Sequence, residues 1–216
     1  MIPEKPSTEL AEETGLHIGD GTMNFYKSGN KIKGSYALRG HLFDDREHYE
    51  KRIRHLYKEL YGFIPSLREM PSTGCYGFQK WSDEIVKFKH EVLKLPLGKK
   101  TNIKIPEQFV ARHVENVIRG IFDTDGNIYL EKKNGKLYPR IHISNVSLTL
   151  INQLGLMAKA KEIRATTYTE KRKNILWLDI HRMETRGEEM LLKWFKIIQP
   201  ANYKHIAKYQ KYLDKA

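Results

Sequence analysis

Ile118-Arg119-Gly120-Ile121-Phe122-Asp123-Thr124-Asp125-Gly126, just past the middle of the chain, repeats a pattern that first occurs in Glu13-Thr14-Gly15-Leu16-His17-Ile18-Gly19-Asp20-Gly21. Each copy contains a glycine followed by Leu or Ile, two further residues, a small residue and Asp-Gly. The residues after each Asp-Gly alternate between polar or aromatic and apolar, which is the pattern of a strand. The two aspartates are 105 positions apart (125 − 20), about half of the 216 residues. We therefore predict two similar lobes that each bring one carboxylate to a shared site.

The composition indicates a folded protein with a polyanionic partner. The chain is 40% hydrophobic and 11% aromatic, which is enough for a buried core, and its net charge is +12. Such an excess favours nucleic acid, with an anionic membrane surface as the rival. No apolar run approaches the roughly 20 residues that a membrane-spanning helix needs, and the N-terminus has no apolar signal-peptide core. Cys75 is the only cysteine, which excludes an internal disulfide and favours a reducing compartment.

The order of predicted elements also repeats between the two halves. Capping residues, glycine stops and apolar periodicity predict helix, hairpin, helix, hairpin and helix in each half. We therefore predict an α+β fold with an N-terminal lobe at 1–98, a linker at 99–106 and a C-terminal lobe at 107–216. Individual predictions include a first helix at 7–18, a second helix capped by Asp44 or Asp45, hairpin turns at Gly29-Asn30 and Asn134-Gly135, and outer strands near 162–170 and 174–181.

The repeated motif has the features of a paired carboxylate site. Gly15 and Gly19 are four residues apart, as are Gly120 and Thr124, and small residues at this spacing let two helices approach closely. Side-by-side packing would place Asp20 and Asp125 together at the negative ends of two helix dipoles. A divalent metal with oxygen ligands, Mg²⁺ above all, would offset this charge. A single Asp-Gly after a helix is usually only a stop and a turn, but two equivalent copies on a basic chain favour chemistry.

Two interpretations of Asp123 are open from the sequence. It could be a further acidic metal ligand, or it could serve a local hydrogen-bonding role. The first copy of the motif has Ile18 at the same place, so the local role is the one we predict.

These residues resemble the motifs of the LAGLIDADG homing endonucleases, in the single-chain form with two motifs and of the archaeal intron-encoded type. The second copy is the closer match, and the first departs from the pattern at Glu13, Thr14 and Ile18. Leu95-Pro96-Leu97-Gly98-Lys99-Lys100 resembles the Gly-Lys-Lys segment that closes the first lobe in archaeal and intein members. Gln199-Pro200-Ala201-Asn202-Tyr203-Lys204 resembles the segment that closes the second lobe. The resemblance implies two αββαββα lobes, with the motif helices at the lobe interface and a β-saddle for DNA.

The resemblance also implies roles for individual residues. Asp20 and Asp125 would bind Mg²⁺, with Gly19 and Thr124 beside them, and Mn²⁺ or Ca²⁺ can occupy such sites. A basic residue near each scissile phosphate would position water or offset developing charge. Lys99 or Lys100 is the candidate for the first lobe, and Lys204 for the second.

Strand alternation predicts which side chains face DNA, because residues in phase with the aspartates share one face of each sheet. A polar strand face is often merely solvated, but its density of Arg, Lys, Asn and Gln on a basic chain favours contacts with bases and phosphates. Lys171, Arg172 and Lys173 are expected to meet phosphates. The predicted DNA-contacting residues are Thr22, Asn24, Tyr26, Ser28, Lys33, Ser35, Arg39, Arg68 and Gln79 in the first lobe, and Asn127, Tyr129, Glu131, Lys133, Arg140, His142, Ser144, Arg164, Thr166, Tyr168 and Arg172 in the second.

Together these features predict a site-specific, Mg²⁺-dependent double-strand DNA endonuclease associated with an intron or intein. The resemblance implies a monomer that cuts a long asymmetric target and leaves short 3′ overhangs. It also implies a cytoplasmic protein of a prokaryotic, archaeal cell. The alternative is an intron RNA-binding maturase on the same scaffold. A DNA-binding regulator on this fold would be expected to have lost one acid, whereas both Asp20 and Asp125 are present.

Overall fold

The computed structural model describes residues 2–174 and 176–215, and for Ser28 it describes the backbone only. The first half contains α1 (Thr8–Asp20), β1 (Gly21–Ser28), β2 (Lys31–His41), α2 (Arg46–His48), α3 (Arg54–Tyr61), β3 (Arg68–Met70), β4 (Cys75–Trp81) and α4 (Asp83–Lys87). The second half contains α5 (Glu107–Val110), α6 (Val114–Asp125), β5 (Gly126–Lys133), β6 (Lys136–Asn145), α7 (Leu148–Ala160), β7 (Ala165–Glu170), β8 (Ile180–Arg186), α8 (Glu188–Ile197) and α9 (Tyr203–Leu213). Wider π-helical turns at Tyr49–Ile53 and Phe88–Val92 join α2 to α3 and extend α4.

Each half folds its four strands into one antiparallel sheet. The strand orders are β1-β2-β4-β3 and β5-β6-β8-β7, so the two sheets have the same topology. In each half the motif helix leads directly into the inner hairpin, and the outer hairpin pairs alongside it. The predicted α+β fold with a repeated element order is confirmed. We call α1 to α4 with their sheet the first lobe, and α6 to α9 with theirs the second lobe.

The structure confirms most of the predicted helix and hairpin ends. Ser7 caps α1, since its side chain accepts a hydrogen bond of 3.1 Å from the amide of Leu10. The helix runs on to Asp20, two residues beyond the predicted end. Asn134 and Gly135 have φ values of 50° and 78°, the left-handed pair that closes a tight hairpin. Asp45 precedes α2, but its side chain makes no capping hydrogen bond, so this part of the prediction is wrong.

The outer hairpin of the second lobe also differs from the prediction. The final strand lies at Ile180–Arg186, not at 174–181, and Leu176, Trp177 and Leu178 are 87%, 63% and 56% exposed in the connection before it. These apolar residues imitate a buried strand in the sequence. The real strand buries Met183 together with the polar Glu184 and Thr185, and so it has no apolar signature. Ile175, within the predicted range, lies outside the described residues.

The predicted linker is packed against the second lobe. Ile103 and Ile105 are 1% and 0% exposed. The amide of Ile105 donates to Oε1 of Gln153 at 2.9 Å, and the Ser147 hydroxyl donates to the carbonyl of Ile103 at 2.7 Å. The segment therefore contributes to the core, and the boundaries at 98 and 107 stay a prediction. Across the described ranges, none of the helices has the length and apolar character required to traverse a bilayer.

The core of the first lobe contains a buried ion pair. Glu13 and Lys89 are both fully buried, and Nζ of Lys89 lies 2.6 Å from each carboxylate oxygen. Three tyrosine hydroxyls complete the network by donating to the same carboxylate, at 2.5 Å from Tyr57, 3.1 Å from Tyr61 and 3.2 Å from Tyr36. The second motif has Ile118 at the position of Glu13, so the two lobes build different cores on one backbone plan.

Candidate metal centre and nucleic-acid interface

The two motif helices touch through their glycines. A Cβ atom built on Gly15 would lie 2.1 Å from the carbonyl oxygen of Val117, and one on Gly120 would lie 2.2 Å from that of Glu12. No side chain fits at either position without moving a backbone. One helical turn further on, a Cβ on Gly19 would overlap Oγ1 of Thr124. The predicted close approach of α1 and α6 is confirmed, and the two helices end beside each other.

Asp20 and Asp125 therefore meet at the helix ends, where both are partly buried. Burial, the carboxylate of Asp125 and the carboxylate of Asp45 raise the pKa of Asp20 to about 8. Burial also raises the pKa of Asp125, opposed by Lys100 and by a hydrogen bond of 2.9 Å from the side-chain amide of Asn145. Each carboxylate also ends a helix, where the dipole is negative. Negative charge on this pair is therefore unfavourable by itself, and a bound cation would stabilise it.

Lys100 lies at the end of α1, close enough to both carboxylates to interact with their charges. The ammonium group of Lys100 donates to the carbonyl oxygens of His17, Ile18 and Gly19, at 3.3 Å and 2.9 Å for the first two. It thus caps the end of α1, a favourable place for a cation. Burial lowers the pKa of Lys100, opposed by Asp125 and Asp20. Lys99 is exposed.

Lys204 reaches the same region from the second lobe. Its ammonium group lies 2.8 Å from Oδ1 of Asp45 in the first lobe. Its charge lowers the pKa of Asp20 and, more weakly than Lys100, that of Asp125. Of the three candidate lysines, Lys100 and Lys204 are thus brought to the carboxylate pair.

Asp123 has the local role predicted for it. Its fully buried carboxylate accepts hydrogen bonds from the amides of Ala201 and Asn202 at 3.0–3.1 Å. Burial raises its pKa to about 7, opposed by these amides. It fixes the backbone at Ala201 and Asn202, which leads to Lys204, and its oxygens are occupied by these hydrogen bonds.

The donor set suits a hard divalent cation. Asp20 and Asp125 offer carboxylate oxygens, and the ends of α1 and α6 offer backbone carbonyls. Among the residues that the structure describes, no group of three or more His, Cys, Asp or Glu side chains is placed to hold an ion. An ion at this site would therefore need further oxygens from water or phosphate, which is how Mg²⁺ commonly binds.

The first sheet gathers the predicted polar residues on one face. Residues directly opposite each other in paired strands share a face. Asn24 lies opposite Ser35, Tyr26 opposite Lys33, and Arg39 opposite Gly77, which in turn lies opposite Arg68. Thr22 and Gln79 both lie opposite Ala37, on the same face, and the amide of Gln79 donates to the hydroxyl of Ser35 at 2.8 Å. Ser35 is only 6% exposed, and the side chain of Ser28 is outside the description.

The second sheet does the same. The register places Asn127 opposite His142, Tyr129 opposite Arg140, Glu131 opposite Tyr138 and Lys133 opposite Lys136. From the outer hairpin, Thr166 and Tyr168 join this face. The shared face is confirmed in both sheets, and contact with DNA stays a prediction.

Three further residues of this face are absent from the prediction. Arg182, Glu184 and Arg186 of β8 lie opposite Ser144, His142 and Arg140. They were missed because β8 was placed about six residues too early. Period-2 alternation of charged residues over 180–186 is the signal that could have found them.

Several cations of the second sheet are held in ion pairs. Arg140 pairs with Glu131, Arg186 with Glu184, and Arg182 with Glu170 at 2.8 Å.

Two predicted contact residues lie away from the sheet face. Arg164 precedes β7 and pairs with Glu189 of α8 at 2.6 Å, and Arg172 lies in the β7–β8 connection with its guanidinium 5.9 Å from the ring centre of Trp177.

The comparisons with known proteins agree with this architecture. Residues 113–199 match the family model of the LAGLIDADG-like domain. The structure is similar to that of the homing endonuclease I-DmoI in complex with DNA and Ca, with a TM-score of 0.64, 14% identity, and coverage of 94% of this chain and 97% of that one. It is also similar to the LAGLIDADG meganuclease I-AabMI bound to uncleaved DNA, with a TM-score of 0.59, 11% identity, and coverage of 94% and 88%.

A curated relative matches part of the chain. The DNA polymerase of Thermococcus kodakarensis is 24% identical over 135 residues, which is 59% of this chain. The match spans only 7% of the length of that polymerase. The chain therefore contains a LAGLIDADG-like domain in its second half and has, across both halves, the fold of the LAGLIDADG homing endonucleases.

Proposed function

We propose that this protein is a site-specific double-strand DNA endonuclease that hydrolyses phosphodiester bonds with divalent metal ions, Mg²⁺ above all. The observation that carries this proposal is the pairing of Asp20 and Asp125 at the ends of two packed helices, each followed by a polar sheet face. The net charge of +12 fits a polyanionic substrate. The homing endonuclease I-DmoI has been seen in complex with DNA and Ca and with DNA and Mn, which supports extending metal and DNA binding to this chain.

The chain's own residues would divide the work at the site. Asp20 and Asp125 would hold the ions, with backbone oxygens around Gly19 and Thr124 nearby. Such ions, when bound, lower the pKa of an attacking water and stabilise charge on the reacting phosphate. Lys100 and Lys204 hold ammonium groups beside the carboxylates, where they can offset charge on the phosphates. Lys99, the other candidate of the first lobe, is exposed and free to reach a phosphate.

The two sheets would contact DNA in the major groove, which admits a two-stranded ribbon. Their polar faces differ in sequence, so the target would be asymmetric and the chain would act as a monomer. Arg140, Arg182 and Arg186 would exchange their acidic partners for bases or phosphates. The exposed Lys171 and Arg172 would meet phosphates. We further propose short 3′ overhangs, and lobe boundaries at residues 98 and 107.

Cleavage of a randomised duplex-DNA library in the presence of Mg²⁺ tests the proposal. We expect the native chain to cut at one long sequence, and Asp20→Asn and Asp125→Asn to abolish cutting while keeping the native circular dichroism spectrum. Asp44→Asn, at an exposed position next to the site, is the matched control and should cut normally. The absence of cuts by the native chain, or normal cutting by either variant of the motif, would refute the proposal. Tight binding without cutting would instead favour the maturase function, with intron RNA as the next ligand.

A further inference from the structure

An ion pair between the lobes lies beside the carboxylate site. Nζ of Lys204, in the second lobe, is 2.8 Å from Oδ1 of Asp45, in the first lobe. The side chain of Asp45 is 5% exposed and that of Lys204 is 20% exposed. Charge pairs this well shielded from water hold their geometry more strongly than surface pairs do.

Asp45 is held on both of its carboxylate oxygens. Oδ2 accepts the amide of His41 at 2.7 Å, and Oδ1 also accepts the side-chain amide of Asn202 at 2.7 Å. The same amide of Asn202 donates to the carbonyl oxygen of Asp123 at 2.8 Å. Asp45 is therefore a fixed acceptor, and it is the long side chain of Lys204 that adapts to it.

The two half-sites are built differently around this acceptor. Gly21 pairs with Leu38 and Gly126 with Ile143, so Gly40 is the counterpart of Asn145, two residues further along each strand. In the second lobe the amide of Asn145 donates to Asp125. In the first lobe a Cβ on Gly40 would lie 2.8 Å from Oδ2 of Asp45. The glycine thus leaves the room that Asp45 occupies.

We propose that Asp45 is a positioning residue that holds the ammonium group of Lys204 in the half-site of Asp20, across the lobe boundary. The lysine that closes the second lobe would then serve the DNA strand cut at the first lobe's carboxylate. Asp45 fills the space at Gly40 in the first lobe, where the second lobe has Asn145 beside Asp125, and Lys204 is bonded to Asp45, which agrees with this crossed arrangement. The role rests on the proposed nuclease function, but the position of Lys204 can be tested without it.

The position of Lys204 can be measured on the free protein by acetylation with acetic anhydride and peptide mass spectrometry. In the native chain Lys204 should react more slowly than the exposed Lys99. Asp45→Asn should raise the acetylation rate of Lys204 several-fold and leave Lys99 unchanged, and Asp44→Asn should change neither. Unchanged acetylation of Lys204 in Asp45→Asn would overturn the proposal, whether or not the protein cuts DNA.

The functional consequence can be measured on the selected target with both strands labelled. Misplacing a group near the reacting phosphate by about 1 Å can cost roughly 100-fold in rate, so we expect Asp45→Asn to slow one strand by about 10- to 100-fold and to leave the other near its native rate. Lys204→Met should slow the same strand, and the double variant should be no slower than Lys204→Met. If both strands were cut equally more slowly and the unfolding temperature fell, the ion pair would only stabilise the contact between the lobes, and the proposal would be overturned. No cutting by the native chain would refute the nuclease function, while the acetylation result would still decide the position of Lys204.

Discussion

Replacing Gly120 by Ala would insert a methyl group into the contact between α1 and α6. The new Cβ would lie 2.2 Å from the carbonyl oxygen of Glu12, 2.6 Å from the amide nitrogen of Leu16 and 2.8 Å from the carbonyl carbon of Gly15. All three are backbone atoms, so no rotamer change can relieve the overlap. Ordinary contacts between non-bonded heavy atoms are about 3.5 Å, so the helices must separate by more than about 1 Å.

The expected loss of stability follows from that separation. A gap of about 1 Å forfeits up to roughly half of each dispersion contact across the interface. Overpacking of a close-packed site usually costs about 1–3 kcal/mol and occasionally more, and two rigid backbones put this site above that range, near 4 kcal/mol. Alanine recovers about 1 kcal/mol of helix propensity relative to glycine. The free energy of unfolding should therefore fall by about 3 kcal/mol.

Urea denaturation followed by circular dichroism can measure this change. Gly155→Ala in α7 is the matched control, because it gains the same helix propensity and its Cβ meets only the side-chain Cγ2 of Thr167, at 2.8 Å. The control should be close to neutral. If Gly120→Ala were as stable as Gly155→Ala, the helices would not be in backbone contact, and that contact could not be what brings Asp20 and Asp125 together.

Three further predictions concern charge. The pKa of Asp20 in the fold, about 8, exceeds its ordinary value of 3.8, so the folded state binds more protons and the metal-free protein should lose stability as pH rises from about 4 to about 8; Asp20→Asn should flatten this dependence in denaturation curves. Lys89→Met removes the ammonium partner of the buried Glu13 and should lower the free energy of unfolding by about 3–5 kcal/mol. The double variant that also carries Glu13→Gln should recover part of this stability, which thermal unfolding would measure. Replacing Lys171 and Arg172 by Ala should reduce the slope of log binding constant against log salt by about 0.9 per residue, and an unchanged slope would show that neither meets phosphate.

The sequence was sufficient wherever a short-range rule decides the structure. The repeat predicts that α1 and α6 pack together, because small residues four apart form a helix face that a second helix can approach closely. Strand parity then assigned the polar residues to one face of each sheet. These inferences need only the periods of the helix and the strand, which tertiary context does not change.

The sequence was insufficient where a long-range partner decides the structure. β8 was misplaced because Leu176 and Trp177 are apolar but exposed, while the buried Glu184 and Thr185 are polar. The position of Asp45 gave a capping prediction, yet its partners, Asn202 and Lys204, are more than 150 residues away in the chain. No local pattern encodes such a contact.

Two neighbouring glutamates of α1 make contacts in different parts of the molecule, one inside its own lobe and one at the boundary between the lobes. Glu13 faces its own lobe and pairs with Lys89, whereas Glu12 bonds to Arg52 at 2.6–2.8 Å and lies 3.5 Å from Arg119 of the other lobe. Compatibility between the lobes thus depends on a few boundary contacts, among them Glu12 with Arg119 and Asp45 with Asn202 and Lys204, whereas the buried pair of Glu13 and Lys89 involves one lobe alone. Recombination between proteins of this fold would therefore have to match these boundary contacts, and new pairs of polar sheet faces could then arise without any redesign of the buried ion pair.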